Sequence, residues 1–142
     1  MRKIRLVEGL PSAGEYNRLR KLVGWGTYHR AVIEESLPCS LYCVHATLGE
    51  ELVGMARIVG DSGLVFYIQD VIVVPEHQGK GIGALLMDSV MAYVRAHASL
   101  NTTVGLMSAR GEESFYQKYG FINRPSETLG SGMTIFWKGN DG

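Results

Sequence analysis

The chain has 142 residues, 46% hydrophobic and 20% charged, which is ordinary for one globular domain long enough to bury a core. Lys plus Arg equals Asp plus Glu at 14 each, so no global charge favours nucleic acid or an anionic membrane as partner. No apolar run approaches the roughly 18 residues of a membrane span. The opening "MRKIRLVEGLPSAGEY" lacks the apolar centre of a signal peptide, so a cytoplasmic protein is expected.

Ile4 and Leu6 alternate with charged neighbours, which predicts a first strand over 3–8. Tyr16, Leu19, Leu22 and Val23 are spaced for one buried face of a helix over 12–23. "GWG" at 24–26 breaks that helix, and a second, short one runs to Leu37, before Pro38. Strands follow in "SLYCVHAT", "LVGMARIV" and "LVFYIQDVIVV", separated by the turn signals "GEE" and "GDSG". Such short connections make the three strands antiparallel neighbours. An amphipathic helix is predicted from Gly81 to Ala98, with Ile82, Leu85, Leu86, Val90, Tyr93 and Val94 on its apolar side. A fifth strand, "TVGLMS", a helix from Glu112 carrying "ESFYQKYGF", a short strand at Phe121–Ile122 and a last strand, "MTIFW", complete the chain. The order is β-α-α-β-β-β-α-β-α-β-β: an α/β (α+β) domain over 1–142. Its mixed, mostly antiparallel sheet has about seven strands and helices on both faces. The crossover through the long helix makes the fourth and fifth strands parallel.

Cys39 and Cys43, in "PCSLYC", lack the two-plus-two spacing of a zinc site and have no His pair beside them. They read as plain buried or half-buried thiols, and no metal is expected.

The chemistry concentrates in "VIVVPEHQGKGIGALL" at 71–86, where a β-branched run stops at a proline and three alternating glycines lead into a helix. Helix N-termini leave N–H groups unpaired and carry about half a positive charge. Glycines let an anion approach the backbone without interference from Cβ. Gln78 through Gly83 therefore form a candidate cradle for a phosphate, most naturally a pyrophosphate, with Lys80 adding a cation. The competing reading is a turn whose glycines only permit tight packing. A nucleoside triphosphatase loop is excluded, because "HQGKGI" lacks the second glycine, the spacing and the hydroxyl. Gly79, Gly81 and Ala84 fit a dinucleotide fingerprint, G-x-G-x-x-G/A. That motif belongs at the first strand of a parallel βαβ unit, whereas here an antiparallel meander precedes it. The next strand also offers no closing Asp or Glu for a ribose.

"QGKGIG" matches the Q/R-x-x-G-x-G/A motif of the GNAT superfamily of acyl-CoA-dependent N-acetyltransferases. "VIVVP" resembles that family's cofactor strand and "FYQKYGF" its second familiar segment, and the order of elements is also the family's. The resemblance implies that acetyl-CoA is the cosubstrate. Its pyrophosphate would lie on the amides of Gln78, Gly79, Lys80, Gly81, Ile82 and Gly83, and its pantetheine arm would lie along Val71, Ile72 and Val73. The resemblance also implies that Tyr116 protonates the departing thiolate, with Tyr119 as its competitor. In several relatives a base stands on the fourth strand. Here that face carries Tyr67 and Gln69, and the one carboxylate of the strand, Asp70, serves as base if a bulge turns it toward the acceptor. Otherwise Asp70 is structural and solvent takes the proton. Many relatives have an Asn where this chain has Ala109 and Arg110; Arg110 reads as solvated. Trp25, Tyr28, His29, Glu34 and Glu35 fall on the acceptor side, and His77 is expected near the surface.

The implied function is transfer of an acetyl group from acetyl-CoA to a primary amine, of a small molecule or peptide, by direct attack in a ternary complex. The alternatives are a different acyl-CoA donor, or a CoA-binding sensor or structural protein without catalysis. Association through sheet edges or the C-terminal strand is common in the fold, so a homodimer is expected. No nucleic acid or membrane partner is.

Overall fold

The structure is a computed structural model that describes residues 3–139, and the chain divides into two compact units, Met1–Leu106 and Met107–Gly142. The first unit holds β1 (Ile4–Glu8), α1 (Ala13–Leu22), α2 (Arg30–Ser36), β2 (Tyr42–Leu48), β3 (Glu51–Gly60), β4 (Val65–Val73), α3 (Ile82–His97) and β5 (Thr103–Leu106). The second holds one short helix, α4 (Glu113–Gln117).

The five strands form one mixed sheet in the order β1-β2-β3-β4-β5. The first three pairings are antiparallel, and β4 runs parallel to β5 through the α3 crossover. The elements through β5 thus fall where the apolar patterns and turn residues place them. The expectation of about seven strands fails in the second unit, because neither Phe121–Ile122 nor Met133–Trp137 is a strand. The β-propensity of "MTIFW" describes a fit to a half-buried pleated surface, and a strand exists only with a ladder partner. Here Met133, Ile135, Phe136 and Trp137 are 88%, 78%, 80% and 72% exposed.

Ser12 starts α1 by accepting the Glu15 N–H on its Oγ at 3.1 Å, and the helix buries Tyr16, Leu19 and Arg20. Helix α3 buries Ile82, Leu86, Met87, Val90 and Val94 against β2, β3 and β4; full burial of each such side chain contributes about 1.5–3 kcal/mol. Leu85, expected on the same face, is 42% exposed. Gly54 on β3 sets how closely α3 can approach. A Cβ there would stand 2.7 Å from the Ile72 carbonyl oxygen and 3.2 Å from Leu86 Cδ1. Helix α1 packs on β3 and β4, on the face that carries Arg57 rather than Gly54. Among the described residues, no helix is long and apolar enough to cross a membrane.

Candidate active site

Strand β4 and the turn that follows it bring most of the sequence-predicted site residues together. Pairing of β4 with β5 runs from Val65–Thr103 to Ile68–Leu106 and stops there. Residues 69–73 continue beyond it, paired to β3 on one side only by the sheet. Backbone donors and acceptors on the other edge of Val71, Ile72 and Val73 are thereby released from the ladder. The Gln78 side chain caps one of them, donating from Nε2 to the Val73 carbonyl at 2.9 Å.

A 3-10 turn at Pro75–His77 leads into the glycine loop. Gly79 and Gly81 adopt φ of +79° and +84°, left-handed conformations that cost an L-residue roughly 1–2 kcal/mol. A Cβ on either would meet nothing within 4 Å, so the glycines serve backbone conformation and not tight packing. Gly81 is the N-cap of α3, and Leu85 N–H is bonded to its carbonyl at 3.1 Å. The Ile82 and Gly83 amides lie in the first turn, where no helical carbonyl precedes them. That turn carries no acidic residue, and residues 78–81 are exposed. A cradle of N–H groups on the positive end of a 16-residue helix suits an anion chemically.

His77, expected near the surface, is instead buried at 5% exposure. Its Nδ1 lies 3.2 Å from Lys80 Nζ, which ties the loop's cation to the turn before it. Its Nε2 has no hydrogen-bond partner among the described residues, and the nearest carboxylate oxygen, on Glu51, is 3.8 Å away.

Asp70 stands on a bulge. Arg57 pairs with Gln69 and Met55 with Ile72, so β4 carries an extra residue across from β3. Asp70 takes φ +57°, which Asp tolerates better than most residues. The bulge turns its carboxylate to the face of Gln69 and Arg57. There its oxygens are already engaged. Oδ2 accepts the Tyr16 hydroxyl at 2.6 Å and Arg57 Nε at 2.7 Å, while Oδ1 accepts Arg20 Nη1 at 2.9 Å. The Asp70 side chain is fully buried, and those of the two arginines are 14% exposed or less. Burial and then the Asp70 charge raise the Tyr16 pKa, so Tyr16 stays a neutral donor. Trp25, Tyr16 and Tyr28 surround the Arg20 guanidinium, with ring centroids at 5.3, 5.8 and 4.8 Å.

The partners of Asp70, namely Tyr16, Arg20 and Arg57, were not among the sequence-predicted site residues, although two signals existed. Arg20 stands four residues after Tyr16 on the buried stripe of α1, and Arg57 is an isolated charge inside the apolar run of β3. Beside the cluster lies a cavity of about 210 Å³, walled by Tyr16, Tyr28, Ile33, Leu37, Arg57 and Gln69 among others. Of the acceptor-side residues proposed from sequence, Tyr28 lines this cavity, Trp25 covers Arg20, and His29 Nδ1 accepts the Ala31 N–H of α2. Glu34 is paired to Arg30, and Glu35 offers its carbonyl to the Cys39 thiol.

In the second unit, Tyr116 lies on α4 with Phe115 and Phe121 edge-on to its ring at 5.1 and 6.3 Å. Burial, with a smaller contribution from the Glu112 charge, pushes its phenol up to about 12. Tyr119 packs edge-on to Phe115 at 5.6 Å, and Arg110 is exposed.

The acetyltransferase (GNAT) domain model matches residues 24–136. The chain belongs to the GNAT family. Among GNAT relatives, an uncharacterized N-acetyltransferase, ycf52, of Porphyra purpurea is 36% identical over 86 residues, covering 61% of this chain and 46% of that protein. A ycf52-like N-acetyltransferase of Prochlorococcus marinus is 30% identical over 130 residues, 89% of this chain and 69% of that protein. The chain thus spans about half the length of the first of these relatives. A Staphylococcus aureus protein described as a probable acetyltransferase superposes with a TM-score of 0.88 at 30% identity, covering 95% of this chain and all of that one. An aminoglycoside N-acetyltransferase solved in complex with CoA shares the fold, with a TM-score of 0.68 at 17% identity over 99% of this chain and 97% of that one.

Proposed function

We propose that this GNAT chain, 1–142 acting as one N-acetyltransferase domain, transfers an acetyl group from acetyl-CoA to a primary amine by direct attack in a ternary complex. The observation that carries the reading is the N-terminus of α3. Two left-handed glycines, an exposed loop over 78–81 and a first helical turn without an acidic residue follow a strand edge left open by β5. Acetyl-CoA supplies the activated acyl group. In this reading the amides of Gln78, Gly79, Lys80, Gly81, Ile82 and Gly83 hold its pyrophosphate, and the open edge of Val71, Ile72 and Val73 holds its pantetheine arm. A polarising N–H on that edge would meet the charge that develops on the acyl oxygen. Tyr116, held neutral at working pH, is the proton source for the leaving sulfur.

The acceptor must lose an ammonium proton before it attacks. Asp70 has two guanidiniums and a phenol on its oxygens, so we assign it to positioning and give the proton to water. The reading includes a homodimer, for which the exposed apolar side chains of Met133, Ile135, Phe136 and Trp137 are the supporting feature, and a cytoplasmic setting.

A calorimetric titration tests it. Acetyl-CoA is expected to bind with micromolar affinity, ahead of NADPH, and Gly81→Val is expected to weaken it by at least about tenfold through backbone strain at the cradle. Preference for NADPH, or unchanged acetyl-CoA affinity in Gly81→Val, would return the loop to the dinucleotide or packing readings. Binding of CoA without thiol release on any amine would favour the sensor alternative.

A further inference from the structure

The cavity beside Asp70 carries a charge imbalance. Arg20 and Arg57 share one carboxylate, and no second carboxylate lies against either among the described residues. With Tyr16 neutral, the cluster keeps one positive charge without a counter-ion, in a setting where burial strengthens its field. The two guanidiniums are not equivalent. Arg20 is closed off, its Nε donating to the Gly26 carbonyl at 2.6 Å and its face covered by aromatic rings. Arg57 lines the cavity itself. It donates Nε to Asp70 and Nη1 to Ser40 Oγ at 3.2 Å, with the Tyr16 hydroxyl as a further polar neighbour, so these contacts use only part of its five N–H groups. A half-buried guanidinium with donor capacity to spare beside an open space is a receptor for an anion.

The walls specify more. Tyr28, Val32, Ile33 and Leu37 are aromatic or aliphatic, and among the described residues no acidic one lines the cavity. An amine could not be held here by charge, because among the described residues the one charged lining group is cationic. At about 210 Å³ the cavity is below the roughly 300–1,000 Å³ of sites for drug-sized ligands, so its occupant is small. One uncompensated charge matches a monoanion better than a dianionic phosphate. Gln69, which also lines the cavity, directly precedes the bulge and the open β4 edge, so a body seated here points along the strand assigned to the acyl donor.

We propose that the acceptor is a carboxylate-bearing primary amine with a small aliphatic or aromatic body. Its carboxylate pairs with Arg57 in this cavity, and Asp70 and Ser40 hold that guanidinium in place. The inference rests on the acetyltransferase reading for the word acceptor; the carboxylate site stands on the cavity alone.

The test separates the two. Calorimetry on the full chain, with and without CoA, compares 4-methylpentanoate and 3-phenylpropanoate with their neutral amides. The acids are expected to bind at least about tenfold tighter than the amides, the scale of one hydrogen bond to a charged group. Arg57→Gln should bring the pair to within about twofold, and Arg57→Lys, which keeps the charge, should retain part of the preference. Amides binding as tightly as acids, an acid preference that survives in folded Arg57→Gln, or failure of both ligands to bind at millimolar concentration would each overturn the proposal. Should Arg57→Gln not fold, the acid–amide comparison on the unaltered chain still decides. Thiol release with leucine against isopentylamine, and phenylalanine against phenethylamine, reads the transferase reaction separately. Release favouring the neutral amines would sink the carboxylate site, whereas acid binding without any release would sink the transferase reading alone.

Discussion

Replacing Asp70 by Asn tests whether this carboxylate organises the site or takes a proton in it. The two side chains have nearly the same shape, so the change removes charge and one acceptor with little loss of volume. In the protein Asp70 accepts from Tyr16, Arg20 and Arg57 at 2.6, 2.9 and 2.7 Å with its side chain fully buried. An asparagine amide has one acceptor oxygen in place of two, and its NH2 group would face a guanidinium or the phenol. Two buried cations would then confront each other without an anion between them. Removing one partner of a buried ion pair costs about 3–5 kcal/mol, against the roughly 5–15 kcal/mol that holds a domain together. At a urea m-value of about 2 kcal/mol/M, the midpoint should fall by about 2 M. Tyr16→Phe is the graded control, because it deletes one hydroxyl and leaves both ion pairs, for about 1.5 kcal/mol. Urea unfolding followed by circular dichroism measures both variants. Acetyl transfer is then assayed at a temperature where each remains folded, over a range of pH. The positioning role predicts a large loss of stability and a higher KM for the acceptor. If Asp70→Asn keeps its midpoint within about 0.3 M while kcat falls a hundredfold with an unchanged acceptor KM, the carboxylate is the base and the reasoning fails.

Three further outcomes follow from the geometry. The folded-state pKa of Tyr116 is raised to about 12 from 10, so its neutral form adds stability that is fully present below pH 10 and is lost as pH rises toward 12. Melting temperatures from pH 9 upward should fall less steeply in Tyr116→Phe, and identical slopes would show that the phenol is not buried as described. Gly54→Ala should cost about 1–3 kcal/mol, since the added Cβ meets a strand carbonyl at 2.7 Å that cannot swing away; a cost below about 0.5 kcal/mol in urea unfolding would mean that α3 sits higher on β3. Cys39 is exposed, whereas Cys43 is buried with its thiol pushed up to about 11, so a thiol reagent should modify one cysteine in the native protein and both after denaturation. Two fast equivalents in the native state would contradict that placement.

What the sequence discloses, and what it hides, divides along the reach of local pattern. The α3 boundary, the glycine loop and three of the four strand pairings, β2–β3, β3–β4 and β4–β5, follow from periodicity, turn residues and helix-start signals that act over a few positions. The tail shows where pattern misleads. "MTIFW" has the composition of a strand, yet strand character is conferred by a ladder partner, and nothing within those five residues states whether one is available. The guanidinium cluster was hidden for a related reason. Tyr16, Arg20, Arg57 and Asp70 come from three elements, and their meeting depends on sheet register and on how α1 crosses the sheet.

The bulge at Asp70 joins these levels. A strand that simply alternated would send Asp70 to the face of Ile68, among the apolar side chains under α3, where a lone carboxylate could not be accommodated. One extra residue relative to β3 reverses its direction. It also adds local twist just past Ile68, the last β4 residue paired to β5, so the same irregularity accompanies the opening of the strand edge. The residue at that position must tolerate a positive φ and must neutralise one of two buried guanidiniums. Asn would satisfy the first demand and Glu the second, but Asp satisfies both. A carboxylate on this strand is therefore accounted for by backbone geometry and charge, without a role in proton transfer. The chemical consequence passes to Arg57, the partner that Asp70 holds at the wall of the cavity.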